Sequence, residues 1–185
     1  MAADNATAAL RHLGQDELDT LLAALDTANV RRLRRLLSHP PDTAGGLMSV
    51  DVVTAEAGEP ARLIRSRVAE HPPVVPALAT VFVIDEERRP LGAVSPAGLM
   101  GDAVEPSTVP VLRLDTPAED VINLFALHDV LALPVVDAEG RLAGAVAIDD
   151  VLEELIAERL PGKRRYRPER RALATALGLR DRHRA

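Results

Sequence analysis

The densest group of chemically active side chains is a run of acids at positions 149, 150, 153 and 154. If this stretch begins a helix, Asp149, Asp150 and Glu153 share one face through their i, i+3 and i+4 spacing. Hard cations such as Mg²⁺ take one or two carboxylates and keep several waters, so loosely grouped acids suit them. The same acids also fit an ordinary solvated helix face, and the residues alone leave both interpretations open.

Side chains that could carry catalysis are scattered along the chain. The five histidines lack metal-ligand spacing, no serine stands in a GxSxG motif, and no phosphate-loop signature occurs. His128 falls at the last position of a predicted helical face and is expected to end that helix. The chain has no cysteine, which excludes a disulfide framework, a thiolate metal site and a cysteine nucleophile. We therefore expect no enzymatic activity.

The composition is that of a small folded protein. Of the 185 residues, 47% are hydrophobic, 27% charged and only 2% aromatic. The apolar content is enough for a core and excludes a disordered chain. The low aromatic content disfavours nucleic-acid modules that stack bases on rings. No stretch has the length and apolar content of a membrane span, and the N-terminus lacks a signal-peptide pattern, so we expect a cytoplasmic protein.

The formal net charge of −6 combines two unlike parts. Residues 1–160 hold 13 basic and 26 acidic side chains, whereas residues 161–185 hold 9 basic and 2 acidic ones. The acidic body should attract cations and the basic tail should attract anions. The tail could bind nucleic acid, anionic lipid or an acidic partner, or it could dock on the protein's own acidic body or serve solubility alone.

An internal repeat organises the middle of the chain. Residues 81–100 match residues 133–152 at a constant offset of 52, with identical pairs at Val83 and Val135, Asp85 and Asp137, Arg89 and Arg141, Gly92 and Gly144, and Val94 and Val146. Upstream, residues 58–68 resemble residues 115–125 at an offset of 57. The first copy therefore has five extra residues, and three prolines within residues 69–79 predict a loop there.

Each copy predicts the same elements in the same order. Pro60 and Pro117 suit the first turn of a helix, where a missing N–H costs nothing. Asp85 and Asp137 open polar turns between two short apolar strands, and a second helix follows. The predicted strands span residues 81–84, 91–94, 132–136 and 142–147. Because a unit of about 55 residues is marginal alone, we expect the two copies to pack sheet against sheet. Two short amphipathic helices are predicted before the repeats, within residues 18–37.

The two copies, each closed by a Gly-Ala-Val pattern at 92–94 and 144–146, resemble a tandem pair of CBS domains, or Bateman module, over about residues 43–160. More specifically, residues 39–54 and 128–155 resemble the cytosolic region of MgtE-type magnesium transporters. The resemblance implies an α+β fold in which two CBS repeats of βαββα type pack as a pseudo-symmetric pair after a short N-terminal helical segment. The implied domains are an MgtE N-domain remnant at 1–42, CBS repeats at 43–103 and 104–160, and a basic tail at 161–185.

The resemblance implies a non-catalytic regulatory sensor that binds Mg²⁺ or an adenine nucleotide (ATP, ADP or AMP). It further implies a homodimer that acts on a membrane transporter or another effector protein. The transporter family's pore has no counterpart in this sequence, and the ending at 180–185 without a following apolar segment favours a natural chain end. The alternative is a nucleic-acid or membrane-surface binding protein in which the CBS pair only dimerises the basic tails.

The family's nucleotide motif has a Gly, two apolar residues, a Ser or Thr, two variable residues and an Asp. In general, the Gly allows close backbone approach, the hydroxyl and a helix N-terminus hold phosphate, and the carboxylate accepts hydrogen bonds from ribose. The matching nucleotide-binding positions are Gly92, Ser95, Gly144, Ala147 and Asp150. The first copy lacks the Asp and the second lacks the hydroxyl, so neither motif is complete.

Both motif positions also have ordinary structural interpretations. Ser95 could simply be an N-cap before Pro96. Asp150 could be an acid favoured by the helix dipole. By the same resemblance, the acids of magnesium sensing fall at Asp129, Asp149, Asp150, Glu153 and Glu119.

Overall fold

The computed structural model describes residues 38–70, 79–101 and 104–152. The predicted N-terminal helices, the acid at Glu153 and the basic tail lie outside these ranges. Within them, no helix has the length and apolar content needed to cross a membrane.

The described chain forms two copies of one unit, preceded by a short helix. The elements are α1 (Ala44–Leu47), β1 (Val53–Glu56), α2 (Ala61–Glu70), β2 (Val81–Ile84), β3 (Pro90–Val94), a 3₁₀ helix (Gly98–Met100), β4 (Leu112–Arg113), α3 (Ala118–Leu127), β5 (Ala132–Val136) and β6 (Leu142–Ala147). Residues 148–152 are helical again.

Each unit has a three-stranded sheet of the same topology. The orders are β1-β2-β3 and β4-β5-β6, with the first pair parallel and the second pair an antiparallel hairpin. Both hairpins carry a register shift at the same place, between Val83 and Ile84 and between Val135 and Val136. The α+β fold of two repeats predicted from the sequence is confirmed.

The predicted polar turns close the two hairpins. A carboxylate oxygen of Asp85 accepts a hydrogen bond from the Arg89 N–H at 2.7 Å, and Asp137 accepts one from Arg141 at 2.9 Å. The second turn uses Gly140 at a φ of 80°, a conformation that glycine adopts without steric cost. These side-chain bonds fix the hairpins at the positions where the apolar runs stop.

The predicted helix starts are displaced by one residue. α2 begins at Ala61 and α3 at Ala118, so each proline immediately precedes its helix, and Pro117 is the N-cap of α3. The Pro117 carbonyl accepts the Val121 N–H at 3.1 Å, so the proline still starts the helical hydrogen bonding. At the other end, His128 is the C-cap of α3, as expected.

The segment that leads into each repeat pairs with the other repeat. Ser49 forms two backbone hydrogen bonds with Ala145 on β6, at 2.8 and 2.9 Å. Ser107 forms the equivalent pair with Ala93 on β3, both at 2.9 Å. This reciprocal exchange ties the two units together through their backbones.

A shared apolar core completes the connection between the units. One buried cluster contains residues of both sheets, namely Phe82, Ile84, Ala93, Ala132, Leu142, Ala145 and Ala147. Every residue of β2, β5 and β6 is buried. Strands buried on both faces have continuous runs of nonpolar residues, which explains the absence of polar side chains from these three strands.

Candidate functional site

The first closing motif forms a tight turn after β3. The Ser95 hydroxyl accepts a hydrogen bond from the Gly98 N–H at 3.2 Å. The Leu99 N–H donates to the Ser95 carbonyl at 3.3 Å, and the Met100 N–H donates to Ala97 at 3.1 Å. The N-cap of the 3₁₀ helix is Ala97, so Ser95 is not that cap but stabilises the turn before it. Its exposed side chain also reaches the surface of a cavity.

This cavity has a volume of about 280 Å³ and lies where the two repeats meet. One wall comes from the end of β3 and its turn, and the opposite wall from residues 129–132, which lead into β5. The segment that pairs with β3, around Ser107, closes a third side. The volume is slightly below the usual range for small-molecule pockets, about 300 to 1,000 Å³.

The polar groups of the cavity wall are hydroxyls and carboxylates. They belong to Thr80, Ser95, Ser107, Glu105 and Asp129. No Lys, Arg or His is among the described residues that line it. Aliphatic side chains supply the remaining surface, chiefly those of Val94, Val109, Val130 and Leu131. Such a lining can enclose an apolar ring system and bind hydroxyl groups at its edge.

Thr80 is a cavity residue that the sequence analysis missed. The residue is only 5% exposed and lies on the cavity wall. A threonine hydroxyl can both donate and accept a hydrogen bond, so Thr80 adds a polar group to this wall. A threonine before an apolar strand carries no distinctive signal, and only the fold places it at the cavity.

The two motif glycines make room for backbone. A Cβ placed on Gly92 would lie 2.7 Å from the Ser107 carbonyl oxygen, and one on Gly144 would collide with the Ser49 carbonyl oxygen. The close neighbour of each glycine is therefore the exchanged segment of the other repeat. Their assignment to nucleotide binding stays a prediction, with this packing role beside it.

The second closing motif lies at the start of the last described helical residues. Ala147 is fully buried at the end of β6, and the next N–H, of Ile148, donates to the Leu131 carbonyl at 3.0 Å. Asp149 is exposed, whereas Asp150 is half-buried with one carboxylate oxygen out of contact with solvent. This motif therefore touches the wall of the cavity through its backbone.

The structure separates the predicted metal ligands into different places. Asp129 lies on the cavity wall, Glu119 in the first turn of α3, and Asp149 and Asp150 at the start of the last helical segment. Among the described residues, no three His, Asp or Glu side chains are grouped closely enough to hold a metal. Because Glu153 lies outside the described ranges, the magnesium set stays a prediction.

A second depression, of about 420 Å³, lies beside β1 in the first repeat. Arg67 on its wall forms an ion pair with Glu59 at 2.9 Å and donates to the Thr54 carbonyl at 2.7 Å. Glu59 in turn accepts the Glu56 N–H at 3.2 Å. These contacts hold β1 to α2, so we assign these side chains a structural role.

One carboxylate with a shifted pKa lies away from both cavities. The hydrogen bond from the Arg141 N–H lowers the pKa of Asp137 below its ordinary value of 3.8, and the Arg141 guanidinium acts in the same direction. Asp137 belongs to the second hairpin and is not a cavity residue. Its charge therefore serves the turn.

Comparison with known proteins agrees with the repeat and the fold. Residues 101–157 match the CBS domain family. The magnesium transporter MgtE of Thermus thermophilus is 34% identical over 142 residues, which cover 72% of this chain and 31% of that protein. The chain spans about a third of the length of the curated relatives that it matches.

Two solved structures show how far the likeness extends. The cytosolic domain of the Mg²⁺ channel MgtE in complex with ATP has a TM-score of 0.74 and 30% identity, over 83% of this chain and 66% of that one. The soluble part of a magnesium transporter has a TM-score of 0.76 over 86% of this chain and 65% of that one. At 24% identity, the second likeness concerns the fold alone.

Proposed function

Because the chain is a CBS-domain pair that resembles the cytosolic region of MgtE-type magnesium transporters, we propose that it is a non-catalytic regulatory ligand sensor. The observation that carries this proposal is the cavity between the repeats, bounded by the first closing motif and the lead into β5. Thr80, a nearly buried residue of its wall, adds a hydroxyl that can donate or accept a hydrogen bond. The similar transporter domain was solved in complex with ATP, which supports an adenine-containing ligand here.

The cavity joins elements of both repeats, so occupancy can change how they pack. Ala93 belongs both to the shared core and to the cavity wall, and Ser107 on the wall is bonded to it. A ligand that binds one packing of the repeats better than another shifts the population toward that packing. We propose that this shift is the regulatory signal, passed to a membrane transporter or another effector protein.

Mg²⁺ is the second ligand of the proposal. The likeness to MgtE relatives supports a magnesium response, and Asp149 and Asp150 start a helical segment with spacing that suits a carboxylate pair with Glu153. A hydrated Mg²⁺ needs only one or two protein carboxylates, so a dedicated cage is not required.

We also propose a cytoplasmic homodimer with domains at 1–42, 43–103, 104–160 and 161–185. Within the described ranges, four helical segments each carry one exposed large apolar side chain, at Leu63, Met100, Leu127 and Leu152. Leu127 is 77% exposed and Met100 is 81% exposed. A second copy that covers these side chains would remove that apolar surface from water.

The test of the cavity is a substitution that fills it. Ser107 reaches the cavity, whereas its neighbour Thr108 is exposed and does not line it. We expect Ser107→Phe to abolish binding of ATP, ADP and AMP in a calorimetric titration, because the ring occupies the ligand's space. Thr108→Phe is the matched control and should bind like the unaltered protein.

Two results would contradict the proposal. One is the absence of heat from all three nucleotides at millimolar concentration with the unaltered protein. The other is equal binding by the Ser107→Phe variant, provided that circular dichroism shows it folded.

A further inference from the structure

The charge of the cavity wall selects among adenine-containing ligands. We propose that the cavity binds an uncharged or cationic purine nucleoside in preference to a phosphorylated one. This inference rests on the proposed function, because it names the ligand class of the same cavity. It arises from the distribution of charges and of free backbone N–H groups around that cavity.

The charged groups on the described wall have one sign. Glu105 and Asp129 are carboxylates, and no described lining residue is a cation. Arg65, which lies near the turn, donates to the carbonyls of Leu99 and Gly101 at 2.5 and 2.8 Å and does not line the cavity. A phosphate in this space would meet like charge without a compensating ion pair.

Most backbone N–H groups of the turn after β3 are already used within the turn. The N–H groups of Gly98, Leu99 and Met100 all donate within the turn, and Pro96 has no N–H. The helix that follows has only three residues, so its macrodipole is negligible. A phosphate would therefore meet no cationic side chain on the described part of this wall and few free N–H groups in this turn.

The same wall suits a neutral sugar and base. The two carboxylates can each accept hydrogen bonds from hydroxyl groups of a ribose. The Thr80 hydroxyl on the wall can donate to or accept from a ligand atom. The aliphatic side chains of Val94, Val109 and Val130 offer an apolar surface for a purine ring.

A series of adenosine derivatives that differ only at the 5′ position isolates the charge effect. 5′-Amino-5′-deoxyadenosine carries a positive charge, adenosine none, and AMP a phosphate. We expect dissociation constants that increase in that order when measured calorimetrically in EDTA and about 0.15 M salt. Because both acids are exposed and screened by salt, the repulsion is moderate, and we expect AMP to bind up to about tenfold more weakly than adenosine.

Neutralising the wall should remove the discrimination. The double variant Glu105→Gln with Asp129→Asn keeps the shape of both side chains. We expect it to reduce the ratio of the AMP and adenosine dissociation constants, called the gap below, severalfold. Glu87→Gln removes an exposed acid that does not line the cavity and should leave the gap unchanged. Thr80→Val has nearly the same shape but lacks the hydroxyl, and we expect it to raise the dissociation constant of adenosine about tenfold.

The outcomes separate the two proposals. AMP binding as tightly as adenosine, or an unchanged gap in the double variant, would overturn the charge selection and leave the nucleotide sensor standing. Absence of binding by the whole series and by ATP and ADP at millimolar concentration would overturn the sensor and this inference together. Variants are compared only when their circular dichroism and melting temperature show a folded protein.

Discussion

The segment around Ser49, which leads into the first repeat, packs against Gly144 of the second repeat, and this contact can be tested by substitution. A methyl group there would collide with the Ser49 carbonyl oxygen and lie 3.0 Å from the sulfur of Met48. The oxygen is backbone and belongs to one of the two hydrogen bonds between Ser49 and Ala145, so it cannot move without weakening the pair. We therefore expect Gly144→Ala to destabilise the fold by separating the segment from β6.

The magnitude follows from two costs. Forcing a methyl into a packed region costs about 1 to 3 kcal/mol. Losing two backbone hydrogen bonds costs about 0.5 to 1.5 kcal/mol each. Together they predict a loss of about 2 to 6 kcal/mol, a large part of the roughly 5 to 15 kcal/mol that stabilises an ordinary domain. Gly92→Ala should behave alike, because its Cβ would meet the Ser107 carbonyl oxygen at 2.7 Å.

Urea unfolding followed by circular dichroism measures this loss as a lower midpoint at constant slope. Gly140→Ala is the control, because a Cβ there has nothing within 4 Å and only the positive φ opposes it. We expect that control to cost about 1 to 2 kcal/mol. If Gly144→Ala costs no more than Gly140→Ala, the exchanged segment is not held as described and the reasoning fails.

Four further predictions concern charge, metal, assembly and the tail. Folding lowers the pKa of Asp137, so its carboxylate stabilises the fold at pH values above the ordinary pKa of 3.8, and this stabilisation is lost as the pH falls through the pKa of the folded state. Asp137→Asn should therefore lower the urea midpoint at pH 7 but not near pH 2. Mg²⁺ should raise the melting temperature beyond a salt of matched ionic strength, and Asp149→Asn should reduce that excess; an equal rise with matched salt would contradict magnesium binding. Leu127→Glu should weaken dimerisation in sedimentation, whereas Leu91→Glu, on a strand, should not. Equal effects of the two substitutions would argue against a dimer contact through the exposed apolar side chains of the helical segments. Deleting residues 163–185 should leave nucleotide binding intact, and loss of DNA or anionic-liposome binding on that deletion would favour the alternative function.

The hairpins are the part of the fold that the sequence predicts best. Their strands are apolar runs bounded by an Asp that hydrogen-bonds across the turn, and the predicted bounds of 81–84, 132–136 and 142–147 agree with the structure. β1 and β4 have only four and two residues and no distinctive pattern, so the residues alone do not locate them.

The candidate site was less accessible to sequence reasoning. The closing motif predicts Ser95, which does line the cavity, but carries no signal for Thr80, which the fold alone places on the wall. Asp129 was assigned to magnesium sensing and lies across the same cavity. The sequence does not distinguish a glycine that makes room for a ligand from one that makes room for another segment of the chain. For Gly92 and Gly144, the close neighbour in the structure is the backbone of such a segment.

The central claim is that ligand binds in the cavity between the repeats, and amide chemical shifts test it most directly. A titration of the isotopically labelled protein with adenosine should move the amide signals of Gly98, Ser107 and Leu131, which line or bound the cavity. The signals of Arg67 and Arg88, beside the other depression, should stay in place. Movement confined to Arg67 and Arg88, or no movement at millimolar adenosine or AMP, would contradict the account.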